Sequence, residues 1–304
     1  MNRKNVLKGG DKIRVKPFDE ILKTLDSKGT LDGLPFMPEM KQFCGRGFFV
    51  HKHAQHLCTE GGNRFIKDTV LLQNVRCDGI FHDGCKQLCM IMWKEAWLIK
   101  IDDRREIAQE HDSTSSQNSI NFSTKYNDRY FCQATEIINA SIERNDLSKI
   151  QHILFLIREW RYKNNRLNSI IKIILKYILW KIGIIKSNPI CREVDGKLSE
   201  TPAQSLNLRA GERIRVKTEA EILKTLDKSG RNRGMGFTGD MFAFCGQEFI
   251  VKCRSDKMIH ENSGKMVELK DTVILEDVVC EGQCRVGCAR SLYHFWREIW
   301  LERV

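Results

Sequence analysis

The chain has 304 residues, 41% of them hydrophobic, which is enough for about two globular domains. Its formal net charge of +11 is unevenly placed, because residues 129–192 carry 12 basic and 4 acidic side chains whereas residues 193–304 carry 18 of each. This distribution excludes a uniformly basic protein of the kind that coats nucleic acid.

The first ten residues are polar and basic, and they contain no apolar run of the ~7–15 residues that a secretory signal needs. We therefore expect a cytoplasmic protein in a reducing compartment. Disulfides are rare there, so the 12 cysteines of the chain indicate metal ligands or catalytic groups where their spacing is ordered.

The first hundred residues predict short strands punctuated by Gly and Asp. Alternation of apolar and charged residues predicts a strand at 13–15, short apolar runs predict further strands at 48–50 and 70–72, and the segment 93–99 is expected to close the sheet. Residues 20–26 predict one short helix with an apolar face. Four or five short strands with one helical insert predict a small, partly open barrel, with an SH3-like barrel as the first choice and an OB-like barrel as the alternative.

The middle of the chain has a different pattern. A polar stretch predicts a linker, and helical periodicity follows at 130–142 and 147–162. The segment from Asn168 to Ile185 is strongly apolar but shorter than the ~20 residues of a membrane span. It is expected to be a helix buried between two modules; the alternatives are a basic helix on an anionic membrane surface, self-association or partner docking.

The last hundred residues repeat the first hundred. Residues 20–26 recur unchanged as 221–227, at an offset of 201, and residues 67–70 recur as 270–273, at an offset of 203. Such self-similarity indicates a duplication. The predicted domains are a first Cys-rich repeat (9–103), a polar linker (104–128), a basic helical segment (129–192) and a second repeat (209–304).

A group of potential metal ligands lies in the first repeat. Three thiols and an imidazole fall within 13 residues, and two further cysteines flank them; the predicted ligands are Cys58, Cys77, His82, Cys85, Cys89 and Cys132. Such ligands suit Zn²⁺, and four cysteines equally suit an iron–sulfur cluster. The alternatives are buried, reduced cysteines that pack as small hydrophobes, or a redox-active thiol pair.

The second repeat keeps only part of this pattern. Arg285 stands where the first repeat has His82, and Leu292 stands where it has Cys89. A second metal site is still predicted as a candidate, from Cys253, His260, Cys280, Cys284 and Cys288.

Each repeat also ends in a pair of tryptophans that flank a glutamate. The tryptophans are Trp93, Trp97, Trp296 and Trp300, and the glutamates are Glu95 and Glu298. Core packing is the first interpretation, and a stacking platform for a base, sugar or peptide is the alternative. A buried, unpaired carboxylate is costly, so each glutamate predicts an Arg or Lys partner.

Several segments together resemble a family of uncharacterised bacterial proteins with the same two-repeat plan. The resemblance is carried by residues 33–40, 76–79, 82–85, 93–98, 130–136 and 293–301, including the closing Trp-Lys/Arg-Glu-x-Trp-Leu pattern of both repeats. Members of that family look like accessory proteins of natural-product or surface-polysaccharide gene clusters. The resemblance implies a helper role in biosynthesis and no particular reaction.

Three functions follow as hypotheses. The first is a metal-stabilised binding or scaffold protein for a protein, peptide or carrier partner, since the sequence contains no phosphate loop, nucleophile elbow or dinucleotide fingerprint. The second is a metalloenzyme in which His82, Cys132 and Glu136 are the polar candidates. The third is RNA or DNA binding, which predicts steep weakening with salt.

Overall fold

The computed structural model describes residues 6–60, 62–101, 122–144, 156–165, 167–185, 192–282 and 287–304 of the chain. Within these residues the protein is mainly β, with one curled, five-stranded antiparallel half-barrel sheet in each repeat. The prediction of two duplicated, barrel-like units is therefore confirmed at this level. Residues 104–121 of the predicted linker lie outside the described residues.

The strands and helices are numbered along the chain. The first repeat contains β1 (Lys12–Val15), α1 (Phe18–Leu22), β2 (Thr30–Leu31), β3 (Leu34–Pro35), β4 (Gly47–His53), β5 (His56–Thr59), β6 (Gly62–Phe65), β7 (Thr69–Arg76), β8 (Met90–Lys94) and β9 (Leu98–Lys100). The middle segment contains β10 (Lys125–Tyr126), β11 (Arg129–Tyr130), β12 (Ile142–Glu143), α2 (156–161) and α3 (Leu167–Lys181). The second repeat contains β13 (Arg213–Val216), α4 (Glu219–Leu223), β14 (Arg231–Asn232), β15 (Met235–Gly236), β16 (Glu248–Arg254), β17 (Lys257–Ile259), β18 (Met266–Glu268), β19 (Thr272–Val279), β20 (Tyr293–Arg297) and β21 (Leu301–Arg303).

The two large sheets have the same topology. The first runs β8-β7-β4-β1-β9 and the second runs β20-β19-β16-β13-β21. Their registers also agree, since Ile13 lies opposite Phe48 and Ile214 lies opposite Phe249, both at the offset of 201. The predicted strands at 13–15, 48–50 and 70–72 lie within β1, β4 and β7.

The helix predicted over residues 20–26 is shorter and earlier than expected. α1 ends at Leu22, and a turn around Asp26 follows. The carboxylate of Asp26 accepts hydrogen bonds from the backbone N–H groups of Lys28 and Thr30, at 2.9 and 2.8 Å. Such a side-chain bond to the backbone competes with continuation of the helix.

The four tryptophans form the centre of the two cores. Trp93, Trp97, Trp296 and Trp300 are all fully buried. The ring of Phe36 packs edge-on against Trp97 with 5.5 Å between ring centroids, and the indole N–H of Trp97 donates to the Thr24 hydroxyl at 2.9 Å. Their burial agrees with core packing and leaves no exposed ring face for a stacking platform. Each pair is joined by a 3₁₀ turn between two strands and does not lie on a single strand.

The glutamates between these tryptophans have different partners in the two repeats. Glu298 is fully buried and accepts a hydrogen bond from Arg254 at 2.6 Å, as predicted. Glu95 lies 3.5 Å from His53, so within the described part of the chain its partner is a histidine and not the expected Arg or Lys. The offset of 201 relates His53 to Arg254, and both repeats therefore place a nitrogen-bearing side chain at the same position.

The middle segment departs from its predicted helices. Residues 132–141 form consecutive turns between β11 and β12, not a helix. The reason is the buried side chain of Gln133, which bonds to both the N–H and the C=O of Met92 at 2.8 Å and thereby ties this segment to the edge strand β8. For the helix predicted over 147–162, residues 147–155 lie outside the described part and α2 follows.

The apolar helix α3 is exposed and not buried between the modules. Its largest apolar side chains, such as Ile171 and Leu175, are 51% and 54% exposed, whereas Ile170 is buried. The expectation of an interior helix is therefore wrong, because α3 buries little of its surface against either sheet. No helix in the described part of the chain is long and apolar enough to cross a membrane.

The two repeats contact each other through reciprocal interactions. The backbone N–H of Lys86 donates to the C=O of Lys257 at 2.9 Å, and the N–H of Ala289 donates to the C=O of His56 at 3.0 Å. The repeat offsets relate Lys86 to Ala289 and His56 to Lys257. An exchange of this kind is typical of an isologous, two-fold interface. We call this contact the repeat seam.

Candidate metal centre

The loop after β7 folds back on itself and carries four of the six predicted ligands. The backbone N–H of Cys77 donates to the C=O of Cys89 at 2.8 Å, which closes the loop. Gly79 has φ +75°, and a Cβ at this position would lie 2.0 Å from the carbonyl oxygen of Cys85. Only glycine fits this close approach, and the 3₁₀ turn that follows carries His82.

A third residue completes a compact cluster. Glu39 lies on the 3₁₀ turn Pro38–Phe43 and is 2% exposed, and His82 is 1% exposed. The thiol of Cys77 donates to Glu39 Oε1 at 3.0 Å, and His82 Nδ1 lies 3.5 Å from the same oxygen. Among the described residues, these three are the one group of such side chains whose ligand atoms all lie within 4.8 Å of one another.

Several polar atoms of this cluster lack hydrogen bonds. Glu39 Oε2 and both ring nitrogens of His82 are buried without a hydrogen-bond partner among the described residues. Leaving such atoms unsatisfied costs about 1–3 kcal/mol each. A divalent cation would accept electron pairs from the carboxylate, the imidazole and a thiolate at once, so the donor set fits a metal ion.

Electrostatics explain why the thiol is protonated when no cation is present. Burial raises the pKa of Cys77, and the neighbouring Glu39 carboxylate raises it further. A bound metal reverses this preference because a coordinating thiol is deprotonated outright. The cluster is therefore expected to release a proton when it binds a metal.

Three other predicted ligands lie beside the cluster without joining it. Cys85, Cys89 and Cys132 line a pocket of about 40 Å³ together with Cys77 and His82. Burial raises the pKa of Cys89 to about 12, and Cys85 and Cys132 are close enough to raise it as well. These thiols are closely spaced neighbours of the cluster.

The sixth predicted ligand, Cys58, and the polar candidate Glu136 lie elsewhere. Cys58 is at the repeat seam, where its backbone N–H donates to Cys288 Sγ at 3.1 Å. Glu136 lies 3.7 Å from Arg129 and does not face a metal site with Cys132.

The predicted ligands of the second repeat are spread over several places. His260 pairs with Glu60 at 3.1 Å, Cys253 lies on β16, Cys280 lies beside Asp240, and Cys288 faces Cys58. Cys284 lies outside the described residues.

The second repeat instead places a carboxylate beside a histidine at the equivalent point. The offsets relate Asp240 to Glu39 and Cys280 to Cys77, and Asp240 Oδ2 lies 3.2 Å from His294 Nε2. Burial works to raise the pKa of Asp240, but His294 and a hydrogen bond from Thr238 outweigh it and hold the pKa at about 2. Here a histidine on β20 compensates the buried carboxylate.

The sequence pattern does not identify Glu39 as a potential ligand, because Glu39 lies 38 residues from Cys77. A signal did exist, since both repeats carry an acidic residue at this position, glutamate in the first and Asp240 in the second.

Comparison with known proteins gives no match of the chain to a protein-family model, a curated protein or a solved structure. The site must therefore be interpreted from its own chemistry.

Proposed function

We propose that the chain is a metal-binding tandem-repeat protein whose first repeat holds one Zn²⁺ ion through Glu39, Cys77 and His82. The buried, unsatisfied atoms of Glu39 and His82 are the observation that carries this proposal. Sulfur, imidazole and carboxylate are all common zinc ligands. An iron–sulfur cluster is the alternative, but it would need thiolates where the compact cluster offers a carboxylate and an imidazole.

The size of the neighbouring pocket favours a structural role over a catalytic one. Its volume of about 40 Å³ has room for a few water molecules and not for a substrate of ordinary size. A metal there would join the 3₁₀ turn of Glu39 to the loop of Cys77 and His82, and its binding energy would add to the folding energy. A hydrolytic metalloenzyme with a water in the fourth position is the second possibility.

The role of the whole chain is then that of a binding protein. We propose that the two repeats are SH3-like barrels, with OB-like barrels as the alternative. Their surfaces would bind a protein, peptide or carrier partner, in line with a biosynthetic accessory role. The exposed apolar helix α3 supports a second proposal, contact with an anionic membrane surface. Nucleic-acid binding through the basic middle segment is a less favoured proposal.

The test is metal analysis of the full chain purified without oxygen. We expect about one zinc per chain, lost in Cys77→Ser and in His82→Asn. The matched control is Cys280→Ser, which removes the equivalent thiol of the second repeat and should keep the zinc. Absence of metal from the unaltered protein, or its retention in both first-repeat variants, would overturn the proposal. Iron and sulfide with visible colour would favour the cluster instead.

A further inference from the structure

Two cysteines related by the duplication occupy equivalent places in the repeat seam. Cys288 Sγ accepts the backbone N–H of Cys58 at 3.1 Å, and Cys85 Sγ accepts the backbone N–H of Ile259 at 3.4 Å. The offset of 203 relates Cys85 to Cys288, and the offset of 201 relates Cys58 to Ile259. The two contacts are the same, except that one of them has a second thiol where the other has an isoleucine.

The surroundings of Cys288 favour a thiolate. Its sulfur accepts hydrogen bonds from the Cys58 thiol and from the backbone N–H of Arg290, besides the N–H of Cys58. The Arg290 guanidinium is held at this point by Glu261 at 2.6 Å and by the C=O of Cys58 at 2.8 Å. The hydrogen bond from the Cys58 thiol is the largest cause of a lowered pKa of Cys288, about 6. Reactive cysteines occur in surroundings of this kind.

We propose that Cys58 and Cys288 are a thiol–disulfide pair that links the two repeats covalently when the protein meets a hydroperoxide. The Cys288 thiolate attacks the peroxide, an S–O bond forms as the O–O bond breaks, and hydroxide or alkoxide leaves. The Cys58 sulfur then attacks the resulting sulfenic acid, the S–O bond breaks, the S–S bond forms, and the Cys58 proton leaves with the hydroxide as water. The two thiols lose two electrons and the peroxide gains them.

This pair is separate from the proposed metal centre. Cys85, which is the counterpart of Cys288 in the first repeat and lies beside the metal cluster, faces Ile259 in the seam and has no thiol across that contact. Oxidation therefore joins residue 58 to residue 288 and fixes the seam, while a small thiol reductant restores both cysteines. Only one of the two equivalent contacts can respond in this way.

The experiment treats the reduced full-length chain with hydrogen peroxide, blocks free thiols with an alkylating agent and maps disulfides by mass spectrometry of a non-reducing digest. We expect one peptide pair linking Cys58 to Cys288, reversed by dithiothreitol. The link should persist in Cys85→Ser, and Cys58→Val should leave Cys288 as a sulfenic acid that dimedone traps. The pH at which alkylation of Cys288 is half-maximal should lie near 6 in the unaltered chain and rise in Cys58→Val.

Three results would overturn the proposal. In the first, Cys58 and Cys288 both remain reduced after the peroxide treatment while other cysteines are oxidised. The second is a link of either residue to a different cysteine. The third is an unlinked pair in which Cys288 has gone directly to sulfinic acid. To guard against a misfolded variant, Ile259→Cys rebuilds the pair at the equivalent contact, and a new link between residues 259 and 85 is expected.

Discussion

The thiol of Cys77 donates a hydrogen bond to the carboxylate of Glu39 at 3.0 Å, where Glu39 is buried and Cys77 is half-buried. This contact joins a 3₁₀ turn near the start of the first repeat to the loop that follows β7. A buried carboxylate with a neutral thiol and an unsatisfied imidazole is an unfavourable arrangement by itself. The same three groups become a favourable arrangement around a dication.

The variant Glu39→Gln should have opposite effects on the metal-bound and the metal-free protein. The variant keeps the size of the side chain but removes its charge, so zinc affinity should fall by more than about 100-fold, the upper range for loss of a merely supporting residue. The metal-free protein should keep or gain stability, because a buried charge has been removed. Zinc affinity is measured by competition with a chromophoric chelator, and stability by urea unfolding.

The matched control for this variant is Asp240→Asn, which alters the equivalent carboxylate of the second repeat. Zinc affinity should be unchanged there, while stability should fall because His294 loses its partner. Unchanged zinc affinity in Glu39→Gln would show that Glu39 is not a ligand.

Two glycines with the same backbone conformation should respond differently to alanine. Gly79 has φ +75° and a Cβ there would meet the Cys85 carbonyl oxygen, whereas Gly45 has φ +76° and open space around it. Gly45→Ala should cost about 1–2 kcal/mol of stability from left-handed strain alone. Gly79→Ala should cost clearly more and also weaken zinc binding, because the loop that carries Cys77 and His82 must shift.

Urea unfolding of both variants measures this difference. Equal losses of stability, with zinc content intact in Gly79→Ala, would show that the close approach in the loop is not needed for the metal centre.

The sequence predicted those parts of the fold that depend on local patterns and on the repeat. The strand β1 follows from alternation of apolar and charged residues, β4 and β7 follow from short apolar runs, and their duplication follows from the offsets of 201 and 203. The candidate site was only partly predictable: Cys77 and His82 are near each other in sequence, but Glu39 joins them only through the packing of a distant turn.

Two other features could not be read from local patterns. The periodicity over 130–142 is helical, yet the hydrogen bonds of Gln133 to Met92 hold that segment against the edge of a sheet. The contact between Cys58 and Cys288 depends on how the repeats pack together, which a single repeat sequence does not specify.

The lowered pKa of Asp240 beside His294 should make the second repeat sensitive to acid. The pKa of Asp240 is lowered from 3.8 in the unfolded chain to about 2 in the fold. A lowered folded-state pKa stabilises the fold at pH values above 3.8, and this contribution disappears as the pH falls from about 4 to about 2. The contribution is about 2 kcal/mol just above the unfolded pKa, from the size of the shift.

Urea unfolding between pH 2 and pH 5 measures this effect. Stability of the unaltered chain should fall across this range, and the part of the fall that Asp240 causes should be absent in Asp240→Asn. His294→Gln should show a smaller fall than the unaltered chain, because His294 supports the lowered pKa. An identical pH profile in all three proteins would contradict the assignment.

The exposed helix α3 predicts binding to vesicles with anionic lipids. Five apolar side chains that are 40–54% exposed share one face of α3, namely Leu167, Ile171, Ile174, Leu175 and Ile178. Lys172 and Lys176 lie on the opposite face, and residues 167–185 contain no acidic side chain. In flotation experiments the full chain should bind vesicles with phosphatidylserine more than neutral vesicles, and less so at high salt.

The double variant Ile171→Ser, Ile178→Ser should bind about 30-fold more weakly, from about 1 kcal/mol for each half-buried isoleucine. The control is Ile99→Ser, which alters a similarly exposed isoleucine on β9 and should bind normally. If the chain does not float, or if both variants bind alike, α3 does not contact membranes, and concentration-dependent sedimentation would then show whether it pairs with a second copy.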